Sequence, residues 1–269
     1  MREILQKIQV HVPFHLLWDK LWPWVIQEGV NPEIAFSHRD LDRFQPANFR
    51  EMAKRLGDAG LSITFHAPFM DLRPGAFDPR IRQVSIERLR QVFDLIPWFR
   101  PRSVVCHPSF DEKYYVSSEA RWMENSLSTW QMLLADIQGT ETILALENVY
   151  ERDPEPLKSL LDALNSPKAR FCFDTGHANV FGRVPPIFWI EALGDRLGEI
   201  HIHDNDGNMD EHLPVGEGNI PFRELFAKLR GQNLRPILTV ESHSEKGLRR
   251  MLENLRAMNE LNFEMREFR

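Results

Sequence analysis

Eight short apolar runs punctuate the chain, and between them longer stretches place apolar residues three and four positions apart. The runs are Ile8 to Phe14, Glu33 to Ser37, Leu61 to His66, Ser103 to His107, Ile143 to Asn148, Arg170 to Asp174, Glu199 to His203 and Ile237 to Glu241. Their length and their β-branched and aromatic content predict strands. The intervening segments, clearest at Asn48 to Leu56, Ile81 to Phe99, Ala120 to Ile137 and Pro154 to Leu164, carry the period of amphipathic helices. Asp78-Pro79, Asp153-Pro154 and Pro221 mark helix starts, and Gly60 marks a helix end ahead of the third run. Strands alternating with helices predict parallel βα units, and eight such units predict a closed (β/α)8 barrel of the α/β class, spanning 1–269 as a single domain.

No linker, repeat or charge block divides the chain. Its longest unpatterned segment, Asp204 to Ile220, and a second, Pro68 to Asp78, both follow expected strands, where barrel loops carry function. The composition, 42% hydrophobic over 269 residues, suits one barrel core. A net charge of −6 gives no general attraction to nucleic acid or anionic membranes. Both cysteines, Cys106 and Cys172, lie inside apolar runs, as buried thiols do in a reducing compartment. Charges interrupt the segment Met1 to Lys7, and no run approaches the roughly 20 apolar residues of a membrane span. A cytoplasmic protein is expected.

The polar residues that end the apolar runs change the picture most. His66 ends the third run, His107 the fourth and Glu147 the fifth; Asp174 and His177 follow the sixth, His201 lies in the seventh with Asp210 and His212 beyond it, and Glu241 ends the eighth. In a parallel barrel all strand carboxyl ends meet at one face, so these nine potential ligands converge there. Burying Glu147, Asp174 and Glu241 without a cation would cost several kcal/mol each. Histidines and carboxylates suit zinc or manganese, with iron or cobalt possible. Strand parity puts His201 and His203 on one face and Ile200 and Ile202 on the other, so one histidine can bind metal while the other orients substrate. His11, His15 and His38 are expected to be structural or solvent-facing, Cys106 and Cys172 to be packing residues, and Trp18, Trp22 and Trp24 to staple a helix to the barrel. Glycine-rich nucleotide loops and a serine nucleophile elbow are absent from the sequence.

The segments His66-Ala67-Pro68-Phe69, His107-Pro108, Leu146-Glu147-Asn148, Phe173-Asp174-Thr175-Gly176-His177, His201-Ile202-His203-Asp204 and Asp210-Glu211-His212-Leu213-Pro214-Val215-Gly216-Glu217-Gly218-Asn219-Ile220, with Glu241, resemble the xylose isomerase-like TIM barrels in order and spacing. That superfamily holds sugar and sugar-phosphate isomerases and epimerases as well as endonuclease IV, the family 2 apurinic endonuclease. The isomerase branch implies one metal at Glu147, Asp174, His201 and Glu241, the two glutamates passing a proton through an enediol. The nuclease branch implies three zinc ions, adding His66, His107, His177, Asp210 and His212, with abasic DNA as the partner. Asn148, His203 and Phe69 are expected beside the substrate. All nine ligand positions are filled, but Ser37 to Asp42 lacks the basic and aromatic insertion of the nuclease, Phe69 replaces its usual tyrosine and Gly176 its common cysteine. The resemblance therefore implies a sugar or sugar-phosphate isomerase or epimerase using one to three zinc or manganese ions, with phosphodiester cleavage as the alternative.

Overall fold

All eight expected strands form, at Gln9–Pro13 (β1), Asn31–Ala35 (β2), Thr64–His66 (β3), Ser103–Cys106 (β4), Ile143–Glu147 (β5), Ala169–Asp174 (β6), Leu197–Ile202 (β7) and Ile237–Val240 (β8). The computed structural model describes residues 2–258, so Met1 and 259–269 of the expected domain lie outside the described residues. Every neighbouring pair is parallel, and β1 pairs with β8 to close the barrel.

Residues of one parity along the strands face the helices: Val10, Val12, Ile34, Phe65, Val104, Leu144, Leu146, Phe171, Phe173, Ile200, Ile202, Leu238 and Val240 all join the main hydrophobic core. The opposite parity faces inward and is largely polar. Gln9, Glu33, Thr64, His66, Ser103, Glu147, Asp174, Glu199, His201 and Thr239 are buried there, and Val105, Ala145 and Cys172 form a small separate apolar cluster. Barrels of this class ordinarily fill their interior with branched aliphatics. Here the apolar core is the shell between strands and helices, and the barrel lumen is a polar column.

The helices follow the sequence signals with local exceptions. Gly60, at φ +68°, ends the helix Pro46–Asp58, and Leu61 N–H donates back to the Leu56 carbonyl at 3.2 Å, the closure that only a left-handed residue permits. The expected helix Ile81 to Phe99 is two helices, Pro79–Phe93 and Ile96–Phe99, because Pro97 cannot donate to a continuing helical ladder. Trp18 and Trp22 pack on the core as expected, with Arg55 lying 4.3 Å over the Trp22 ring; Trp24 is 38% exposed and staples nothing. No helix among the described residues is long and apolar enough to cross a membrane.

Candidate metal centre

The strand ends carry the expected donors to one place. Glu147, the last residue of β5, lies at the centre: its Oε2 is 3.2 Å from His66 Nε2 and 2.9 Å from His107 Nε2, and its Oε1 is 3.3 Å from His177 Nδ1 and 3.4 Å from His201 Nδ1. Glu241, just past β8, places Oε1 3.1 Å from His201 Nδ1 and Oε2 3.5 Å from His212 Nδ1. Asp210 joins His177 at 3.4 Å and His212 at 3.3 Å. Asp174 caps the helix Thr175–Phe181 by accepting from His177 N–H at 2.6 Å, and it receives His203 Nε2 at 3.0 Å.

Partners behind the donors orient the rings. His66 Nδ1 donates to the Ala67 carbonyl at 2.9 Å and His177 Nδ1 to the Asn148 carbonyl at 3.0 Å, which turns each Nε2 towards the site. His201 Nε2 meets the Glu33 carboxylate at 3.2 Å, so its Nδ1 is the free nitrogen. Asn148 exchanges both amide atoms with the Asp174 backbone, clamping β5 to β6. Asp204 is wholly buried, and its carboxylate accepts from the backbone of Asn205, Gly216 and Ile220; this shapes the loop that delivers Asp210 and His212. His212 sits at φ +52°, an uncommon conformation for histidine, and stacks on His203 with ring centroids 3.8 Å apart. Gly176 is required, because a Cβ there would collide with the His203 ring.

Whether these residues fit a cation can be judged from what they leave unsatisfied. His201 Nδ1, His203 Nδ1, His212 Nδ1 and Asp210 Oδ1 are buried without a hydrogen-bond partner, an arrangement that costs free energy unless something electrophilic lies among them. Donor atoms of His66, His107 and Glu147, of His66, His201 and Glu241, and of His203, His212 and Glu241 each lie within 4.8 Å of one another. The set is oxygen and imidazole nitrogen, as zinc or manganese would take it. Cys172 also lies near Glu147 and His201, but burial pushes its thiol well above the ordinary range, so it stays protonated.

The electrostatics are those of a carboxylate cluster held together by imidazoles. Burial pushes the Glu147 carboxyl up, but the charges of His107 and His201 overcome this and hold it well below the usual range. Glu241 behaves alike, burial being outweighed by His201 and His11. His11 itself is opposed by burial yet pushed up to about 10, chiefly by Glu241.

A cavity of about 490 Å³ opens above this floor. His66, His107, Glu147, His177, Asp210, His212, Glu241 and Phe69 line it, Phe69 stacking on His107 at 4.4 Å between ring centroids. Asp174, His201, Asn148 and His203 are buried behind the wall and do not line it. The Asn148 amide is spent on Asp174, and the His203 ring is wedged between Gly176 and His212. His11, expected to be structural or solvent-facing, lines the cavity and touches Glu33 at 2.9 Å and Glu241 at 3.2 Å. Sequence reasoning also missed Glu33 and His243. Glu33 had a signal, being a charged residue in an apolar run at an inward position two residues from the strand's end. His243, stacked on His212 at 4.1 Å, had none beyond its place two residues after Glu241.

The comparisons with known proteins agree with this architecture. Residues 28–261 match the family described as xylose isomerase-like TIM barrel. The uncharacterized protein MJ1311 of Methanocaldococcus jannaschii is 29% identical over 206 residues, covering 73% of this chain and 70% of its own. The L-ribulose 3-epimerase of Methylomonas sp. is 32% identical over 179 residues, 63% of this chain and 59% of its own. Among solved structures, a D-tagatose 3-epimerase-like protein superposes with a TM-score of 0.78 at 24% identity, covering 94% of this chain and 98% of that one.

Proposed function

The chain belongs to the xylose isomerase-like TIM barrel family, and from that membership and the geometry of its site we propose that it is a divalent-metal-dependent isomerase or epimerase of a sugar or sugar phosphate. The observation that carries this reading is the pairing of Glu147 and Glu241. Both line one cavity, and each presents an oxygen to the same His201 nitrogen, at 3.4 and 3.1 Å. Relatives named by their activity are sugar 3-epimerases, which supports the same class.

Inverting or relocating a C–H bond beside a carbonyl needs a base on one side of the carbon and an acid on the other. Both glutamates are held as carboxylates by their histidine neighbours, so either can take the first proton. One removes it, the electron pair delocalises into the adjacent carbonyl, and the other, having taken up a proton from water, delivers that proton to the carbon or its neighbour; both then return to their starting states by exchanging protons with solvent. Zinc or manganese held by Glu147, Asp174, His201 and Glu241 would supply Lewis-acid polarisation of the substrate's oxygens. His201 is aimed by Glu33, Asp174 is fixed by Asn148, and Phe69 stacks on His107 at the cavity wall. Turnover of a panel of ketoses and their phosphates by metal-supplemented protein tests the reading; no conversion of any of them would end it.

One observation favours a second reading, phosphodiester hydrolysis at a trinuclear zinc centre. His107, His177, Asp210 and His212 converge on the same floor and exceed what one metal needs. Against it stands the cavity wall, where among the described residues Arg73 is the sole lysine or arginine, far fewer than the several phosphate contacts a nucleic-acid strand requires. An abasic-site duplex assay with the same preparation separates the two readings.

A further inference from the structure

Among the described residues Arg73 is the one lysine or arginine on the cavity wall, and the chemistry above leaves it unused. It lies in the loop after β3, which is firmly tied: Arg73 N–H donates to Ser85 Oγ at 2.8 Å, Ala76 N–H to the Arg73 carbonyl at 3.0 Å, and Ser109 Oγ to the Leu72 carbonyl at 3.2 Å. The backbone that presents the side chain is therefore fixed before any ligand arrives. The guanidinium is only partly satisfied. Its one hydrogen bond is a long one, Nη1 to the Ser109 carbonyl at 3.4 Å, and its Cζ lies 5.1 Å over the Tyr114 ring. Among the described residues no carboxylate pairs with it; Asp71, beside it on the wall, makes no bond to it.

A half-buried guanidinium with five donors and one weak acceptor is a forked receptor for a planar or tetrahedral anion. Its position is at the mouth, next to Met70, 70% exposed, and Tyr114, 67% exposed, whereas the carboxylates and imidazoles occupy the floor. We propose that Arg73 is the specificity residue for a substrate bearing an anionic group, a phosphate monoester or a carboxylate, on the end of the molecule away from the reacting carbons. The inference rests on the sugar reading above and narrows it to anionic sugars.

Calorimetric binding to metal-supplemented protein tests it with three ligands of one carbon skeleton: a 2-ketohexose, its 6-phosphate and the corresponding uronate. Wild-type protein is expected to bind at least one anionic form about tenfold or more tighter than the neutral ketose, the range of a charge-assisted hydrogen bond. The ratio should collapse towards one in Arg73→Met and survive in part in Arg73→Lys, which keeps the charge and loses the fork. A preference for the 6-phosphate or for the uronate tells which anion is meant. Equal affinity for all three ligands in wild type, or a ratio unchanged in Arg73→Met, overturns the proposal. Turnover is scored separately: a ratio that depends on Arg73 with no sugar converted would defeat the isomerase reading while leaving the anion receptor standing.

Discussion

The two ends of the barrel lumen bury carboxylates in opposite ways. At the carboxyl end Glu147 and Glu241 sit among imidazoles and are held well below the usual range despite their burial. Deeper, two residues below His201 on β7, Glu199 is equally buried but faces hydroxyls: Ser103 Oγ and Thr239 Oγ1 each donate to it at 2.5 Å. Burial, with Glu33 nearby, pushes that carboxyl up to about 7. The residue type and the burial of the side chain are shared, and the difference lies in the partners: imidazoles hold the upper pair as anions, whereas burial and the neighbouring Glu33 leave Glu199 close to neutral. One end is built to meet positive charge; the other is tied by hydroxyls.

The largest effect that would break this contrast is at the upper pair. Glu147→Gln and Glu241→Gln should each lower turnover by about a thousandfold or more while the far-UV circular dichroism stays that of the wild type, because proton transfer at this position is lost without a change of shape. Removing divalent cations with a chelator comes next. The melting temperature should fall by several degrees and recover on adding zinc or manganese, since a ligand present at about 100 times its Kd contributes about 2.7 kcal/mol; a melt indifferent to chelation would contradict the cation-meeting end. Glu33→Gln tests the boundary between the two ends. It weakens the hold on His201 and should lower metal affinity by about 10- to 100-fold, measured by competition with a chromophoric chelator.

Glu199→Gln should do least to turnover, leaving it within about threefold, and its effect belongs in stability instead. A carboxyl whose folded pKa lies near 7 and whose unfolded pKa is ordinary binds more protons folded than unfolded between about pH 4.5 and 7. Its stabilising contribution is complete below that window and is lost as pH rises through it. Urea denaturation at a series of pH values should show wild-type stability falling across the window and the variant's falling less, with the difference growing to about 3 kcal/mol by pH 8. Parallel pH profiles would mean that Glu199 carries no such penalty.

The same contrast explains how much was legible in the sequence. The eight strands were readable because their outward residues, such as Ile200 and Ile202, are aliphatic and meet the helices. The nine candidate ligands were readable because a carboxylate or imidazole at or just past the end of an apolar run is costly to bury unless it is paired, hydrogen-bonded or bound to a cation. Glu199 and His11 were not, and Glu33 was passed over despite its inward position, since a single charged residue at the start of a run or within it reads as an interruption, and only the closed barrel brings β1, β2 and β7 around one column. The depth of Asn148 and His203 was not legible for a related reason. Sequence order locates them at strand ends, whereas depth depends on neighbouring strands, and the wedge of His203 against Gly176 exists only after β6 and β7 pair.

The central claim is that two buried glutamates pass a proton to and from one sugar carbon. Proton NMR of metal-supplemented protein in D2O, with the ketose or ketose phosphate that it converts, tests this most directly. Deuterium is expected at a carbon beside the carbonyl, with incorporation lost in Glu147→Gln and in Glu241→Gln. Conversion without deuterium, or incorporation that persists at the wild-type rate in either variant, would contradict it.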